Sequence, residues 1–332
     1  MSSLNGRILV TGGAGFIGSA LIHALNQRGL TDIVVTDLLG QDEKWKNLVP
    51  LKFADYVEAG SFRERIHAHA GAFGKFSAVF HLGACSATTE KNATYLADNN
   101  YEFTKELAAW TLAQHGRFIY ASSAATYGDG AQGMDDKNAD LAALRPLNMY
   151  GYSKHLFDLY AQRHGFLDQI VGVKYFNVFG PNEDHKADMR SLVNKAYQQI
   201  LVTGRVQLFK SHKPEYKDGE QMRDFLYVKD AVEMTLHFAE KATGSGGLYN
   251  LGSGEANTWL TLARAIFSAL GRDPSIEFID MPEVLRGKYQ YYTRADISKI
   301  RSTGYARPMT PLVEAVRDYV QGYLATGKKL GE

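Results

Sequence analysis

Two residues near the middle of the chain have the types and spacing of an acid–base pair. Tyr150 and Lys154 lie four positions apart in the stretch NMYGYSK. On a helix this spacing places both side chains on one face. A lysine ammonium beside a phenol favours the phenolate, which lowers the pKa of the tyrosine from its usual value of about 10. Such a base could take the proton of an alcohol while a hydride leaves, so the pair indicates oxidation of a carbinol.

Two further side chains could take part in this proton transfer. Ser123, in YASSAATYG, could hydrogen-bond the same substrate oxygen as Tyr150. Lys186 lies in NEDHKADM, directly after the apolar run KYFNVFGP. It has two interpretations: a solvated surface charge, or a lysine of lowered pKa that acts as a second acid–base group.

A glycine-rich turn near the N-terminus could hold a hydride acceptor. The stretch TGGAGFIG places Gly12, Gly15 and Gly18 between an apolar run and an amphipathic one. Glycines allow a tight turn and a close approach of the backbone to a pyrophosphate, and the following helix N-terminus favours the anion. The motif therefore predicts a dinucleotide site.

The residues at the end of the next apolar run bear on which dinucleotide binds. Asp37 could hydrogen-bond a ribose diol, which favours NAD. Lys44 and Lys46 follow in QDEKWKNL and could reach the 2′-phosphate of NADP, or could simply be solvated. The sequence leaves NAD and NADP both open.

The elements that must position these residues alternate along the chain. The apolar runs RILVT, DIVVTD, SAVFHLG, RFIYASS and QIVGVKYFN predict strands, with helical patterns between them. This alternation predicts an α/β fold, a Rossmann-type doubly wound parallel sheet. After about residue 180 the alternation weakens, and RDFLYVKDAVEMTLHFAEKA predicts a strand and a helix that return to the sheet. We expect a Rossmann domain of residues 1–176 and 223–255, and a smaller, interleaved α+β substrate lobe of residues 177–222 and 256–332.

The bulk composition excludes several classes of protein. Among 332 residues, 37 Lys and Arg balance 36 Asp and Glu, so no nucleic-acid footprint is expected. A single cysteine, Cys85, excludes an intrachain disulfide. The start of the chain does not have the pattern of a signal peptide, no apolar stretch predicts a membrane span, and no group of residues has zinc-like spacing. We expect a soluble, cytoplasmic protein that binds no membrane and no metal.

Several motifs resemble a known family. TGGAGFIG, SSAATYG, YGYSK and RDFLYVKD, spread along the chain, resemble the extended short-chain dehydrogenase/reductases. Within that superfamily GACSATTE, DNNYEFTKEL, NMYGYSK and KYFNVFGPNEDHK resemble the ADP-L-glycero-D-manno-heptose 6-epimerase family. The resemblance implies an isomerase that oxidises C6 of ADP-heptose transiently, with bound NADP or NAD, and returns hydride to the opposite face. It also implies a homo-oligomer, often a pentamer, that serves synthesis of the lipopolysaccharide core.

The resemblance also implies roles for individual residues. Lys186 would be the second acid–base group opposite Tyr150, with Ser123 as a hydrogen-bond partner and Lys154 as the lysine that binds ribose and tunes the tyrosine. The implied cofactor-binding residues are Gly12, Gly15, Phe16, Ile17, Gly18, Asp37, Leu38, Lys44, Leu82, Gly83, Ala84, Cys85, Ser86, Asn99, Lys154, Val178 and Lys186. The implied substrate-binding residues are Ser123, Asn177, Asp188, Lys195, Phe209, Lys210, Ser211, His212, Arg223 and Tyr289.

The alternatives are a UDP-sugar 4-epimerase of the same superfamily and a non-catalytic dinucleotide-sensing protein. A dehydratase is disfavoured because Ala124 and Ala125, which follow Ser123, offer no acid for elimination of water. The chain also departs from the family's usual residues, with Ala187 and Asp188 where Gly-Ser is common.

Overall fold

The structure is a computed structural model that describes residues 4–137, 140–242, 244–286 and 289–332. The strands are β1 (Ile8–Thr11), β2 (Ile33–Asp37), β3 (Asp55–Glu58), β4 (Ala78–His81), β5 (Arg117–Ser123), β6 (Val171–Tyr175), β7 (Asn177–Phe179), β8 (Val206–Phe209), β9 (Met222–Arg223), β10 (Phe225–Tyr227), β11 (Gly247–Leu251), β12 (Asn257–Thr258) and β13 (Ile276–Ile279). The α-helices are α1 (Phe16–Gln27), α2 (Ala59–Ala68), α3 (Ala93–Leu96), α4 (Phe103–Ala113), α5 (Met149–Arg163), α6 (Leu192–Thr203), α7 (Val228–Glu240), α8 (Trp259–Ala269), α9 (Glu283–Arg286), α10 (Ser298–Ser302) and α11 (Leu312–Tyr319).

A parallel sheet of seven strands forms the centre of the described chain, in the order β11-β6-β5-β4-β1-β2-β3. The strand order reverses beside β1, because β2 lies on one side of it and β4 on the other. In doubly wound folds this switch point opens a crevice at the carboxyl ends of the strands. The predicted Rossmann-type doubly wound sheet is confirmed.

Alternate residues of the strands enter two separate hydrophobic clusters, one on each face of the sheet. Ile8 and Val10 of β1 belong to the first, and Leu9 belongs to the second. The strand patterns are continuous apolar runs because helices cover both faces. This arrangement fixes the strand ends that carry the site.

One part of the predicted topology is wrong. The apolar run in RDFLYV forms β10, which pairs with β7 in a sheet of its own rather than returning to the main sheet. The edge beside β6 is instead filled by β11, whose five residues pair with Val171–Tyr175. An apolar run predicts a strand but carries no information about its partner. The helix that follows, α7, does form as predicted.

A smaller group of elements lies beyond the sheet's carboxyl edge. It contains the two-stranded pairs β12-β9 and β13-β8, with α8 packed against α6 and α11. These elements face the strand ends and so provide a second wall to the crevice. The division into two lobes at the residues given above stays a prediction. No helix in the described ranges is long and apolar enough to span a bilayer.

Candidate active site

A cavity of about 910 Å³ lies between the carboxyl ends of the central strands and the smaller group of elements. Most of the residues predicted for the site line it. They are Gly12, Gly15, Phe16, Ile17, Gly18, Asp37, Lys44, Leu82, Gly83, Ala84, Cys85, Ser86, Ser123, Tyr150, Lys154, Asn177, Val178, Lys186, Lys195, Phe209 and Tyr289. The remaining predicted residues lie outside its lining: Leu38, Asn99, Asp188, Lys210, Ser211, His212 and Arg223.

The glycine loop between β1 and α1 has the shape that a pyrophosphate requires. Gly12 has φ +67, and a Cβ there would lie 2.6 Å from the backbone nitrogen of Gly83. A Cβ on Gly18 would lie 2.1 Å from the carbonyl oxygen of Gly12. Helix α1 begins at Phe16, and its N-cap, Gly15, brings no side chain to cap the first N–H groups. The loop therefore fits a dinucleotide, since free N–H groups and a positive dipole end face the cavity.

Asp37 and Lys44 form an ion pair at the end of β2. The Asp37 carboxylate accepts hydrogen bonds from the backbone N–H groups of Ala14, at 2.9 Å, and Leu38, at 2.7 Å. The Nζ atom of Lys44 lies 3.0 Å from Asp37 Oδ1. An acceptor for a ribose hydroxyl and a cation for a phosphate therefore lie side by side, so this corner contains a group suited to each dinucleotide.

A buried chain of hydrogen bonds connects the glycine loop to the neighbouring strand. The Gly83 N–H donates to Thr11 Oγ1 at 3.0 Å, and Thr11 Oγ1 lies 2.7 Å from His81 Nδ1. On the other side of the ring, His81 Nε2 lies 2.9 Å from Thr104 Oγ1, which itself donates to the Asn100 carbonyl at 2.6 Å. Because the Thr104 hydrogen is used in that last bond, His81 Nε2 must be the donor and Nδ1 the acceptor. The chain therefore has one direction, from Gly83 to Asn100.

Asn100 is a residue of the site that sequence reasoning missed. Its side chain accepts a hydrogen bond from the Cys85 N–H and donates one to the Cys85 carbonyl oxygen, each at 2.9 Å. It also donates to Ser153 Oγ at 3.0 Å, and Ser153 donates to the Tyr150 carbonyl at 2.7 Å. Asn100 lies in the π-helical turn Ala97–Glu102, which widens the helix and turns one of two consecutive asparagines inward. The Asn99 side chain donates to Asn100 Oδ1 at 3.0 Å, and its predicted contact with the cofactor stays a prediction.

Helix α5 presents the predicted acid–base pair to the cavity. The Asn148 side chain caps its first turn, accepting from the Gly151 N–H at 2.8 Å. Tyr150 and Lys154 both line the cavity, and Ser123, at the end of β5, hydrogen-bonds the Tyr150 phenol. The structure thus brings together three residues that the sequence placed in two separate motifs.

The predicted direction of the Tyr150 pKa is wrong in this structure. Burial raises the pKa of Tyr150, and the hydrogen bond from Ser123 only partly opposes that rise. Burial also lowers the pKa of Lys154 to about 8, against the opposing charge of Asp158. A buried lysine loses its proton more easily, so it is a weaker cation beside the phenol than an exposed one. Tyr150 is therefore a protonated phenol near neutral pH.

A buried ion pair fixes α5 to the sheet directly behind these residues. Asp158, one turn after Lys154, lies 3.1 Å from Lys174 of β6, with both side chains at most 1% exposed. Asp158 also accepts from Tyr120 at 2.7 Å and from Ser122 at 2.8 Å, both on β5. These contacts hold the helix that carries the acid–base pair against two strands.

Lys186 lies in the cavity wall, on the segment Asp184–Met189 that follows β7. Its Nζ atom is 5.5 Å from the centre of the Phe16 ring, at the start of α1. Burial lowers the pKa of Lys186, while the charge of Glu183 opposes this change. Glu183 is itself buried and accepts from both the N–H and the hydroxyl of Ser191, each at 2.6 Å. This placement differs from that of a solvated surface charge.

Ala187, next to Lys186, adopts an unusual backbone conformation, with φ +46 and ψ −121. Positive φ at this position favours glycine, because a Cβ crowds the backbone there. The departure from Gly-Ser noted in the sequence therefore places a methyl group where the backbone is strained. Strain of this kind is typical of functional loops.

A buried cation lies next to the cavity wall formed by Tyr289 and Trp259. Arg223 is buried, and its guanidinium lies 4.9 Å from the Tyr289 ring centre and 5.7 Å from that of Trp259. Burial lowers its pKa. Within the described ranges no carboxylate forms an ion pair with Arg223, and its guanidinium donates a hydrogen bond to the Met222 carbonyl at 2.8 Å. A buried guanidinium without a carboxylate is suited to binding an anionic ligand.

The other predicted substrate residues are held by contacts within the protein or are exposed. Lys210 pairs with Asp280 at 3.3 Å, and the backbone N–H of Ser211 is held by Asp218. Lys195 lines the cavity and donates to the Asp188 carbonyl at 3.2 Å, while the Asp188 side chain is exposed. The His212 side chain is exposed as well. A direct role for Lys210, Ser211, His212 and Asp188 stays a prediction.

Known proteins are similar to this chain in sequence and in structure. Residues 8–252 match the model of the NAD dependent epimerase/dehydratase family. An ADP-L-glycero-D-manno-heptose-6-epimerase of Nitratidesulfovibrio vulgaris is 51% identical over 317 residues, covering 96% of this chain and 98% of the relative. The crystal structure of the Helicobacter pylori ADP-L-glycero-D-manno-heptose-6-epimerase is similar with a TM-score of 0.80 and 27% identity, over 96% of each chain. A Thermus thermophilus UDP-glucose 4-epimerase in complex with NAD is similar with a TM-score of 0.73 and 25% identity, over 95% of this chain and 98% of that one.

Proposed function

The chain belongs to the NAD dependent epimerase/dehydratase family, and from that premise we propose that it is an ADP-L-glycero-D-manno-heptose 6-epimerase. It would interconvert ADP-D-glycero- and ADP-L-glycero-D-manno-heptose by transient oxidation at C6. The 51% identity to a relative of that name, over nearly the whole length of both chains, supports the substrate.

The observation that carries the chemistry is the presence of two proton-transfer groups from separate elements in one cavity. Tyr150 comes from α5 and Lys186 from the segment after β7, and both line the same space. Inversion at one carbon requires the alcohol oxygen to occupy two positions, since hydride returns to the opposite face. One phenol need not reach both positions, and a second group removes that difficulty.

The residues that would hold the cofactor are those of the glycine loop, the β2 end and α5. Gly12, Gly15 and Gly18 fit the pyrophosphate, Asp37 and Lys44 the adenosine ribose, and Lys154 the nicotinamide ribose. The bound nicotinamide supplies a site that accepts hydride from C6 and returns it. We propose NADP as the dinucleotide, because Lys44 is placed to meet a 2′-phosphate.

The pKa directions of the two groups are complementary. Burial raises the pKa of Tyr150, which keeps the phenol protonated, and burial lowers the pKa of Lys186, which makes its ammonium group easier to deprotonate. With Tyr150 as phenol and Lys186 as amine, Lys186 takes the C6 hydroxyl proton of one epimer, and Tyr150 gives a proton to the ketone oxygen as hydride returns. With Tyr150 as phenolate and Lys186 as ammonium the roles are exchanged. Tyr150 then takes the C6 hydroxyl proton of the other epimer, and Lys186 gives a proton to the ketone oxygen. The Ser123 hydroxyl hydrogen-bonds the Tyr150 side chain and stabilises both its phenol and its phenolate form.

The substrate's diphosphate has a matching group beside the cavity wall formed by Tyr289 and Trp259. Arg223 is buried between Tyr289 and Trp259 without a carboxylate partner in the described ranges. A planar guanidinium can contact a diphosphate through two N–H groups at once. The sugar would then extend from Arg223 toward Tyr150 and Lys186.

The test compares variants with each epimer supplied separately. Lys186→Met should abolish reduction of bound cofactor by one epimer and leave it with the other, and Tyr150→Phe should show the opposite pattern. Lys195→Met, a second lysine of the same cavity, serves as the matched control and should change the KM without this asymmetry. Wild-type epimerisation by Lys186→Met would refute the assignment.

Substrate and cofactor are tested independently of the variants. Turnover of UDP-galactose but not of ADP-heptose would instead assign a UDP-sugar 4-epimerase, and absence of turnover with both would favour a dinucleotide-sensing protein. Mass spectrometry of ligand released from the denatured protein distinguishes NADP from NAD. The homo-oligomer and the cytoplasmic location stay predictions.

A further inference from the structure

The segment of residues 329–331 packs against the loop that carries Lys186. The Leu330 N–H donates to Asn182 Oδ1 at 3.1 Å across 148 positions of sequence, and the Leu330 side chain is buried. The Lys329 ammonium forms an ion pair with Asp184. Both contacts fall on the residues that immediately precede Lys186.

The same loop is tied on its other side to the cofactor end of the cavity. Asn47 donates to the carbonyl oxygens of both Asn182 and Ala14, each at 3.0 Å. The Asn182 side chain donates to Ser19 Oγ, also at 3.0 Å. Asn182 therefore joins the glycine loop, helix α1 and the 329–331 segment at a single point.

Packing against residues 50–51 fixes the position of the 329–331 segment. Gly331, with φ +103, lies so close to Pro50 that a Cβ on Gly331 would be 3.2 Å from the Pro50 Cβ. Leu330 belongs to the same hydrophobic cluster as Leu51. The segment thus fills the space between residues 50–51 and the Lys186 loop, and it cannot shift without moving one of them.

We propose that Lys329 and Leu330 are positioning residues for Lys186: they hold the loop so that the Nζ atom of Lys186 reaches the substrate oxygen. This inference rests on the proposed function, in which Lys186 serves one of the two epimers. The loop needs such support because Ala187 and Asn182 both have positive φ, and a strained backbone keeps its shape only when its surroundings enforce it. Neither residue would touch the substrate.

The consequence is a defect confined to one epimer. Loss of the Lys329 contact would displace Lys186 and leave Tyr150, on α5, in place. A general loss of structure would slow both epimers equally. Misplacement of a reacting group by about 1 Å is enough to slow a reaction severely.

The experiment measures single-turnover reduction of bound NADP⁺ by each epimer, using the full chain and the absorbance of the reduced nicotinamide. We expect Lys329→Met to slow the Lys186-dependent epimer by roughly tenfold and to leave the other epimer unchanged. Lys329→Arg should restore the rate. Lys328→Met, at an exposed neighbour with the same change of charge, should behave as wild type.

A second variant covers the case in which Lys329→Met fails to fold. Asp184→Asn removes the same ion pair from the loop side and should give the same asymmetry. Equal slowing of both epimers, or of neither, by Lys329→Met or Asp184→Asn would overturn the inference alone. Absence of asymmetry in Lys186→Met, measured in parallel, would overturn the acid–base assignment and this inference with it.

Discussion

Replacement of Lys174 by methionine tests whether the buried ion pair behind α5 holds the catalytic helix to the sheet. Lys174 and Asp158 are 3.1 Å apart and almost fully buried. At that distance and an effective dielectric constant of about 20, the attraction of two unit charges is about 5 kcal/mol. Methionine keeps most of the side-chain volume but leaves the Asp158 carboxylate without its cation.

The hydrogen bonds that remain set the size of the effect. Tyr120 and Ser122 still donate to Asp158 and offset part of the loss. We therefore expect the free energy of unfolding to fall by about 3–5 kcal/mol, as is typical when one partner of a buried pair is removed.

In urea denaturation this loss appears as a lower midpoint concentration of urea, while the slope of the free energy of unfolding against urea concentration stays constant. The double variant Lys174→Met, Asp158→Asn should lose less than the sum of the two single variants, since it contains no unpaired buried charge. Arg205→Met, which breaks the exposed pair of Arg205 with Glu277, is the control and should cost less than about 1 kcal/mol. A cost below about 1 kcal/mol for Lys174→Met, or strict additivity in the double variant, would refute the reasoning.

Two further predictions concern stability. Ala187→Gly should stabilise the fold by about 1 kcal/mol, because glycine adopts φ +46 without strain. Thermal unfolding checks it beside Ala113→Gly, which replaces an exposed alanine at the end of α4 and should destabilise the fold by about 0.5 kcal/mol. A loss of stability in Ala187→Gly would contradict the prediction. Burial raises the pKa of Asp136 to about 6, and within the described residues its Oδ1 atom has no hydrogen-bond partner. Because burial disfavours the charged form of Asp136 in the folded state, the free energy of unfolding of the wild-type protein should fall as the pH rises from 3.8, the ordinary pKa of this carboxyl group, toward about 6. Asp136→Asn should remove that component, whereas the exposed neighbour variant Asp135→Asn should keep it, and identical pH profiles for the two variants would refute the assignment.

The fold was predictable wherever a strand is buried on both faces. β1, β2, β4 and β6 are continuous apolar runs because helices cover the sheet on each side. β3, with only Val57 fully buried, has no such run and was missed. The partner of β10 was predicted wrongly, since pairing depends on tertiary packing rather than on the run itself.

The site was predictable where its residues share a short motif. The glycine loop and the spacing of Tyr150 and Lys154 are local, and local geometry follows from local sequence. The inward turn of Asn100 depends on a π-helical turn that no spacing rule indicates. The pair of Asp158 with Lys174 and the contact of Leu330 with Asn182 join distant parts of the chain, so only the folded structure brings them together.

The one-way hydrogen-bond chain through His81 has a consequence for how this protein responds to acid. A second proton on the ring would have to enter at Nδ1, where Thr11 already donates, so protonation would force the Thr11 hydroxyl to turn its hydrogen away from the ring and lose that hydrogen bond. Burial accordingly lowers the pKa of His81 to about 3. His81 therefore does not change its protonation state across the physiological pH range. A titration seen in catalysis can therefore be interpreted without a contribution from His81.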